Sequence, residues 1–422
     1  MTERRPFVGL AVAEAFSITG TRLAQIAIPW LVLTTTGSAT WTGIVGFAEM
    51  LPYVVAKALG GPLVDRVGAK RVAVAADSTS VLIVGLIPVL HWLDALHLAV
   101  LFPIAVLMGL VRGPSDGAKQ TLVPGVADAA GLPLERVTGV CGAIERLGGT
   151  IGAALAGAVV AVLGAPQALL VNAATFLMAA VCIGVAVPQG ISRVEPASPA
   201  EPETSYGLRL REGWRFLRSD AVLVGITTMV GMTNLLDQAW TAVLLPVWAH
   251  DTGRGAGAVG LVLAALSGPS IAGALIAAAL GERLPRLPVY VVGFLAAGLP
   301  RFAVFAFDAP VWLMGVVLVV VGFLSGFCNP ILGAVVFERI PAALVGRVSA
   351  LNSSLCWALI PFGGLLGGVL VASSGLRTST IAVGIAYFLV TLMPLVRKSF
   401  REFDKHPASD RTPGQQYAQR AA

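Results

Sequence analysis

Long apolar runs alternate with short polar breaks along almost the whole chain. The runs fall near residues 7–33, 41–60, 72–93, 97–115, 137–163 and 166–187. After a polar gap they resume near 221–248, 256–280, 288–307, 311–336, 348–373 and 376–396. Each is close to the roughly 20 residues that an α-helix needs to cross a hydrocarbon core. The pattern predicts an all-α membrane protein with 12 transmembrane helices. The opening MTERRPFVGLAVAEAF starts with positive charge, but its apolar run continues through Leu33 without a small-residue cleavage site. It therefore reads as the first span rather than a removable leader.

Composition supports this reading. The chain is 56% hydrophobic and 12% charged, whereas soluble domains carry roughly a quarter charged residues. An even number of spans places both termini on one face, and the basic residues say which. All but six of the 29 Lys and Arg lie at the N-terminus, in the even-numbered loops and their flanking span ends, or in the C-terminal tail. The exceptions are Arg254 and Arg377 in odd-numbered loops, and Arg22, Lys57, Arg146 and Arg301 within spans. Cytoplasmic loops carry the excess of positive charge, so both termini are expected in the cytoplasm. The net charge of +6 follows topology instead of forming a groove, which argues against nucleic acid as a partner. Cys141, Cys182, Cys328 and Cys356 sit inside apolar runs without metal-ligand or disulfide spacing and read as packing residues. His91, His97, His250 and His406 form no metal cluster, and no phosphate-cradling GxxxxGK[ST] sequence is present. The expectation is a non-enzyme with no cofactor and no metal.

The two groups of six runs are related. RVTGVCGAIERLGGTIGAALAG from Arg136 aligns without gaps on RVSALNSSLCWALIPFGGLLGG from Arg347, with Gly152 on Gly363 and Gly157 on Gly368. Elsewhere Pro29 falls on Pro246, Gly43 on Gly260, and Asp65-Arg66 on Glu282-Arg283. Two six-helix pseudo-repeats place a binding cavity between them near the bilayer midplane, with access alternating by rocking. The expected organisation is an N-terminal half over 1–190, a linker over 191–220, a C-terminal half over 221–397 and a disordered cytoplasmic tail over 398–422. The linker begins Pro/Ser/Glu-rich and flexible. From Tyr206 it sets Leu208, Trp214, Phe216 and Leu217 among arginines, which predicts an amphipathic helix on the inner leaflet.

One polar interruption carries more information than the others. GGPLVDRVGAKR at 60–71 separates the second and third spans. Its Gly61, Leu63, Asp65, Arg66, Gly68, Lys70 and Arg71 resemble the signature loop of the major facilitator superfamily, with Ala69 standing where a basic residue is usual. AKQTLVP at 118–124, NAATFL at 172–177, EGWRFLR at 212–218 and GRV at 346–348 are similar to the drug:proton antiporter branch that includes macrolide-efflux and enterobactin-export proteins. Two departures stand out. Gly152 is followed by Ala153 where antiporters usually have proline, and Asp77 is followed by Ser78, Thr79 and Ser80 where an Arg is frequent. The resemblance implies the major facilitator fold in a bacterial plasma (inner) membrane, working as a monomer. It implies a secondary active transporter driving antiport of protons against a small molecule, and hence efflux and antibiotic resistance. An importer or facilitator of a small nutrient stays open, as does a non-transporting membrane sensor or scaffold.

Ionisable groups deep in a bilayer usually face a cavity or a partner. The resemblance implies a gating role for Asp65 and its loop, and Arg112 and Asp116, four apart on one helix face, could complete that latch. Glu145 and Asp237 are the leading proton-coupling candidates, followed by Glu49 and Glu14. The alternative for the first two is a charge-paired structural acid, Glu145 with Arg22 or Asp237 with Arg301. Lys57 and Asp77 are expected to snorkel to the cytoplasmic surface. Arg22 and Arg301 either attract an anionic substrate group or neutralise these acids. Asn234, Gln238 and Trp240 surround Asp237 as candidate cavity wall, with Asn329, Asn352 and Trp357 contributed by later spans.

Overall fold

The computed structural model describes residues 4–191, 206–280, 283–341, 344–397, Phe400 and Phe403. Its helices are α1 (Arg5–Thr36), α2 (Ala39–Leu59), α3 (Gly61–Val67), α4 (Ala69–Trp92), α5 (Leu98–Ala129), α6 (Leu134–Leu163) and α7 (Ala165–Ala186) in the N-terminal half. The surface helix α8 (Tyr206–Ser219) and α9 (Ala221–Ala239) follow. A π-turn at Trp240–Leu244 leads into α10 (Leu245–Asp251). The remainder are α11 (Gly255–Leu280), α12 (Arg286–Ala297), α13 (Leu299–Ala306), α14 (Val311–Ser325), α15 (Cys328–Arg339), α16 (Val345–Trp357), α17 (Ile360–Thr391) and α18 (Met393–Val396). Helices satisfy their own backbone polar groups, which is what lipid demands.

Among the described residues, ten stretches are long and apolar enough to cross a membrane, and Ala221–Asp251 makes an eleventh when taken together with Arg211–Ser219, from which it is bent. The stretch Val348–Val396 is 49 residues long, about twice what one crossing uses. It breaks at Gly375 (φ 75°, ψ 165°), a conformation that side chains disfavour. Split there, it is two spans, and the total is the expected twelve. The halves repeat each other in helix partners. In the N-terminal half α2 packs on α5, α4 on α5 and α1 on α6; in the C-terminal half α11 packs on α14, α12 on α14 and α9 on α17.

The halves differ in continuity. The six N-terminal spans are unbroken helices, while the C-terminal half breaks at Gly298, at Gly326–Phe327 and at Ala358–Leu359. The π-turn in its first span has a local cause. Pro246 has no N–H to give to the preceding turn, and the Leu245 N–H reaches back five residues to the Trp240 carbonyl.

Three apolar clusters show how the halves meet. On the side away from the termini (the distal side), one cluster runs through both halves, joining Ile28, Leu31 and Val160 to Trp240, Trp248 and Val259. On the terminal side each half has its own. Leu10, Val72, Leu122 and Ile183 pack in the N-terminal half, and Leu223, Tyr290, Ile331 and Phe400 in the C-terminal half. The distal seams are made of backbone. A Cβ on Gly43 (α2) would collide with the Gly364 carbonyl (α17), and one on Gly157 (α6) would sit against Gly260 (α11). The bundle is therefore closed distally.

Two expectations change. The fourth span does not stop near 115; α5 continues to Ala129 through Pro114 and Pro124. The expected turn at 60–71 contains the short helix α3, ended by Gly68 at φ 95°. In the linker, α8 bends 98° from the next span, with Leu217 buried and Trp214 exposed. Phe400 and Phe403 are buried beside Tyr290, so the tail begins packed. Residues 192–205 and the rest of the tail lie outside the described residues, as do Gly281 and Glu282, the latter the counterpart of Asp65 in the repeat.

Candidate functional site

Small residues set up the interior of the N-terminal half. Gly109 and Gly113, four apart on α5, press against the α2 backbone at Glu49, Tyr53 and Lys57. At this spacing side chains one turn apart on each helix face one another. The Arg112 guanidinium pairs with Glu49 (3.3 Å) and donates to Thr21 Oγ1 on α1 (2.9 Å). Tyr53 Oη donates to Asp116 Oδ2 (2.8 Å), and Lys57 Nζ donates to Tyr53 Oη (3.3 Å). Farther along α5, Lys119 Nζ pairs with Asp77 Oδ2 on α4 (2.9 Å) and donates to Ser17 Oγ on α1 (2.6 Å), while Ser115 donates to Asp77 Oδ1 (2.8 Å). The Lys119 and Asp77 side chains are 3% and 2% exposed, so the pair is sealed inside the bundle.

This arrangement corrects the snorkelling expected of Asp77 and Lys57. Asp77 is held by Lys119, and Lys57 Nζ lies 4.7 Å from the Trp357 ring centroid, across the seam between halves. Lys119 was missed because a span ending near 115 leaves it in a loop. The signal was present: Arg112, Asp116 and Lys119 follow the four-then-three spacing of one helix face.

Between the halves lies a cavity with two lobes that share Arg22 and Gln25. One lobe, of about 260 Å³, is lined by Glu14, Tyr53, Lys57, Asp116 and Glu145, with Gln238 and Trp357 closing it from the other half. The second, of about 310 Å³, is lined by Asp237, Trp240, Thr241, Ser267, Ser270 and Arg301. Gly149 and Gly152 on α6 leave room for the Arg22 side chain, whose Nη1 donates to Gln25 Oε1 (2.9 Å). Among the described residues, the carboxylates of Glu14 and Glu145 have no hydrogen-bond or ion-pair partner. Asp237 does: Arg301 Nη2 lies 2.6 Å from its Oδ1. That guanidinium also sits 4.8 Å from the Trp240 ring and 5.2 Å from the Tyr387 ring, within the range over which an aromatic face attracts a cation.

The other candidates are dispersed. Glu49 is buried against Arg112, away from the cavity. Asn234 Nδ2 donates to the Cys356 carbonyl (2.9 Å), and Asn352 Oδ1 accepts from Thr227 Oγ1 (2.5 Å); both tie α9 to α16. Asn329 lines a separate cleft with Arg146. In the loop, Gly61 and Leu63 are exposed. Asp65, Arg66, Gly68, Lys70 and Arg71 line an open groove of about 1320 Å³ on the terminal side, where Lys70 Nζ donates to the Gly184 carbonyl (2.8 Å). Asp65 has no side-chain partner among the described residues. Arg112 and Asp116 are engaged by Glu49, Thr21 and Tyr53 instead of by this loop.

With this geometry in place, likeness to other proteins carries weight. A multidrug efflux pump, Tap, from Mycolicibacterium fortuitum is 30% identical over 406 residues, covering 96% of this chain and 98% of that one. Tap from Mycobacterium tuberculosis (strain ATCC 25618 / H37Rv) is 29% identical over 412 residues, 97% of each chain. The enterobactin exporter EntS of Citrobacter koseri is 27% identical over 387 residues, 89% of this chain and 86% of that one. Among solved structures, the nucleoside transporter NupG superposes with a TM-score of 0.74 at 14% identity, covering 93% of this chain and all of that one, a likeness of fold. The Major Facilitator Superfamily model matches residues 10–236 and 227–418. The chain belongs to the Major Facilitator Superfamily.

Proposed function

We propose that the protein is a proton-coupled exporter of amphipathic small molecules, drugs or siderophores, with both termini in the cytoplasm and its cavity open toward them. The observation that carries the coupling mechanism is a pair of carboxylates in the cavity between the halves, Glu14 and Glu145, that have no hydrogen bond or salt bridge among the described residues; Lys119 and Arg22 act on them only at longer range. An unpaired charge is expensive in a dry, low-dielectric interior. When the cavity closes around Glu145 a bound proton removes that cost, and when water returns the proton can leave. Asp237 is already neutralised by Arg301, so it serves the substrate wall, where Trp240 and Gln238 add aromatic and polar contacts. The full-length likeness to Tap and EntS supports drugs or siderophores as cargo. The distal seams and the unpartnered Asp65 fit an inward-open state in which the loop's latch is released.

Proteoliposomes loaded with a pH-sensitive dye test the reading against a panel of amphipathic antibiotics and siderophores. Substrate-dependent proton movement is expected, and its absence across the panel would count against proton-coupled export. Asp65→Asn is expected to reach the membrane and lose most transport; wild-type transport by this variant would remove the loop from gating.

A further inference from the structure

The two α6 neighbours Glu145 and Arg146 face different surroundings, because successive residues on a helix point about 100° apart. Glu145 lines the central cavity. Arg146 lines a cleft of about 300 Å³ between α6, α11 and α15, with Ile271, Ala274, Leu275, Ala278, Asn329 and Pro330. The cleft forms because α6 and α11 diverge. Their backbones touch at Gly157 and Gly260, a Thr150 methyl separates them at Gly268, and beyond that point the gap opens at Arg146. Among the described residues the Arg146 guanidinium has no carboxylate and no hydrogen-bond partner, and the Asn329 side chain is likewise unpartnered. Leu147, Ile151 and Leu275, 49%, 54% and 66% exposed, carry an apolar surface outward beside the cleft.

We infer that this cleft binds an anionic phospholipid from the terminal-side leaflet, its phosphate on Arg146 and Asn329 and its acyl chains along Leu147 and Ile151, with Leu275 at the mouth on the headgroup side. An arginine within a span calls for an anion or water, and a guanidinium fork matches two phosphate oxygens. The cleft has room for a headgroup but not for whole acyl chains, and the exposed Leu147 and Ile151 supply the surface those chains need. A lipid wedged there occupies the seam that must close when the terminal side shuts, so its binding favours the distally closed state. This inference stands apart from proton coupling and holds whether or not Glu145 moves a proton.

Native mass spectrometry of the full chain, released from nanodiscs of mixed phosphatidylglycerol and phosphatidylcholine, reads the site directly. Wild type is expected to retain phosphatidylglycerol selectively, and Arg146→Gln to lower retention roughly tenfold, while Arg146→Lys keeps part of it. Leu275→Trp, which narrows the mouth without touching the charge, should also lower retention. A tenfold excess of inorganic phosphate (a ratio set by design, about 1.4 kcal/mol of mass action) should not displace the lipid. Equal retention of the two lipids by wild type, or unchanged phosphatidylglycerol retention in both Arg146→Gln and Leu275→Trp, would overturn the proposal. Displacement by free phosphate would assign Arg146 a simple anion and overturn the lipid.

Discussion

The two halves descend from one pattern but spend their polar residues differently. The N-terminal half keeps its spans whole and threads them with charge: Glu49–Arg112, Tyr53–Asp116 and Asp77–Lys119 link α1, α2, α4 and α5. The C-terminal half breaks its spans at Gly298, Gly326 and Ala358; among its described residues, Arg286–Glu338 and Arg339–Asp220 pair away from the cavity, whose wall holds Asp237–Arg301 set among aromatic rings. A half braced by charge pairs can hold unpaired acids in fixed positions. A half of interrupted helices and aromatic faces offers an adaptable wall for amphipathic cargo. The proposed function divides the labour along this line, with proton chemistry in the first half and cargo contact in the second.

The comparison breaks most severely at the sealed pair. Lys119→Met leaves Asp77 buried without its cation and is expected to lower stability by about 3–5 kcal/mol. Thermal unfolding in detergent checks this. The double variant Asp77→Asn, Lys119→Gln should recover most of the loss, and a single variant as stable as wild type would show that the pair braces nothing. At the distal seam, Gly43→Ala forces α2 from the Gly364 carbonyl and should shift the balance toward a distally open state. A tenfold shift corresponds to about 1.4 kcal/mol; distances between spin labels on the distal ends of α2 and α17 read it, and an unchanged distribution would mean that the seam yields without opening. The smallest effect belongs to Asn234→Ala, which removes one neutral hydrogen bond to the Cys356 carbonyl and should lower stability by about 1 kcal/mol without changing coupling. A loss of proton coupling in this variant would place chemistry in the wrong half.

Much of this organisation is legible in the chain because a bilayer imposes simple rules. Apolar run length gives the twelve spans, the near-constant offset of Gly43 from Gly260 and of Gly157 from Gly368 gives the repeat, and Asp237 with Arg301 was one of two pairings that the residues allowed. For Glu145 and Arg22 the structure shows no salt bridge: the Arg22 guanidinium bonds Gln25, and Glu145 acts on it at longer range. What was hidden depends on where helices end and which way they face. Polar residues at 115–120 read as a loop, yet α5 carries them on as helix, and so Lys119 and the burial of Asp77 escaped notice. The breaks in the C-terminal spans have weak local signals, because glycine is frequent throughout these apolar runs and only packing decides which glycine interrupts a helix. The opposed surroundings of Glu145 and Arg146 need the position of α11, which no local pattern supplies.

Proton-driven accumulation and substrate exchange, measured side by side in proteoliposomes for Glu145→Gln and Asp237→Asn, test the division most directly. The account predicts that Glu145→Gln loses proton-driven accumulation but keeps substrate exchange, and that Asp237→Asn keeps proton coupling while binding substrate more weakly. Full proton-coupled accumulation by Glu145→Gln, together with its loss in Asp237→Asn, would contradict it.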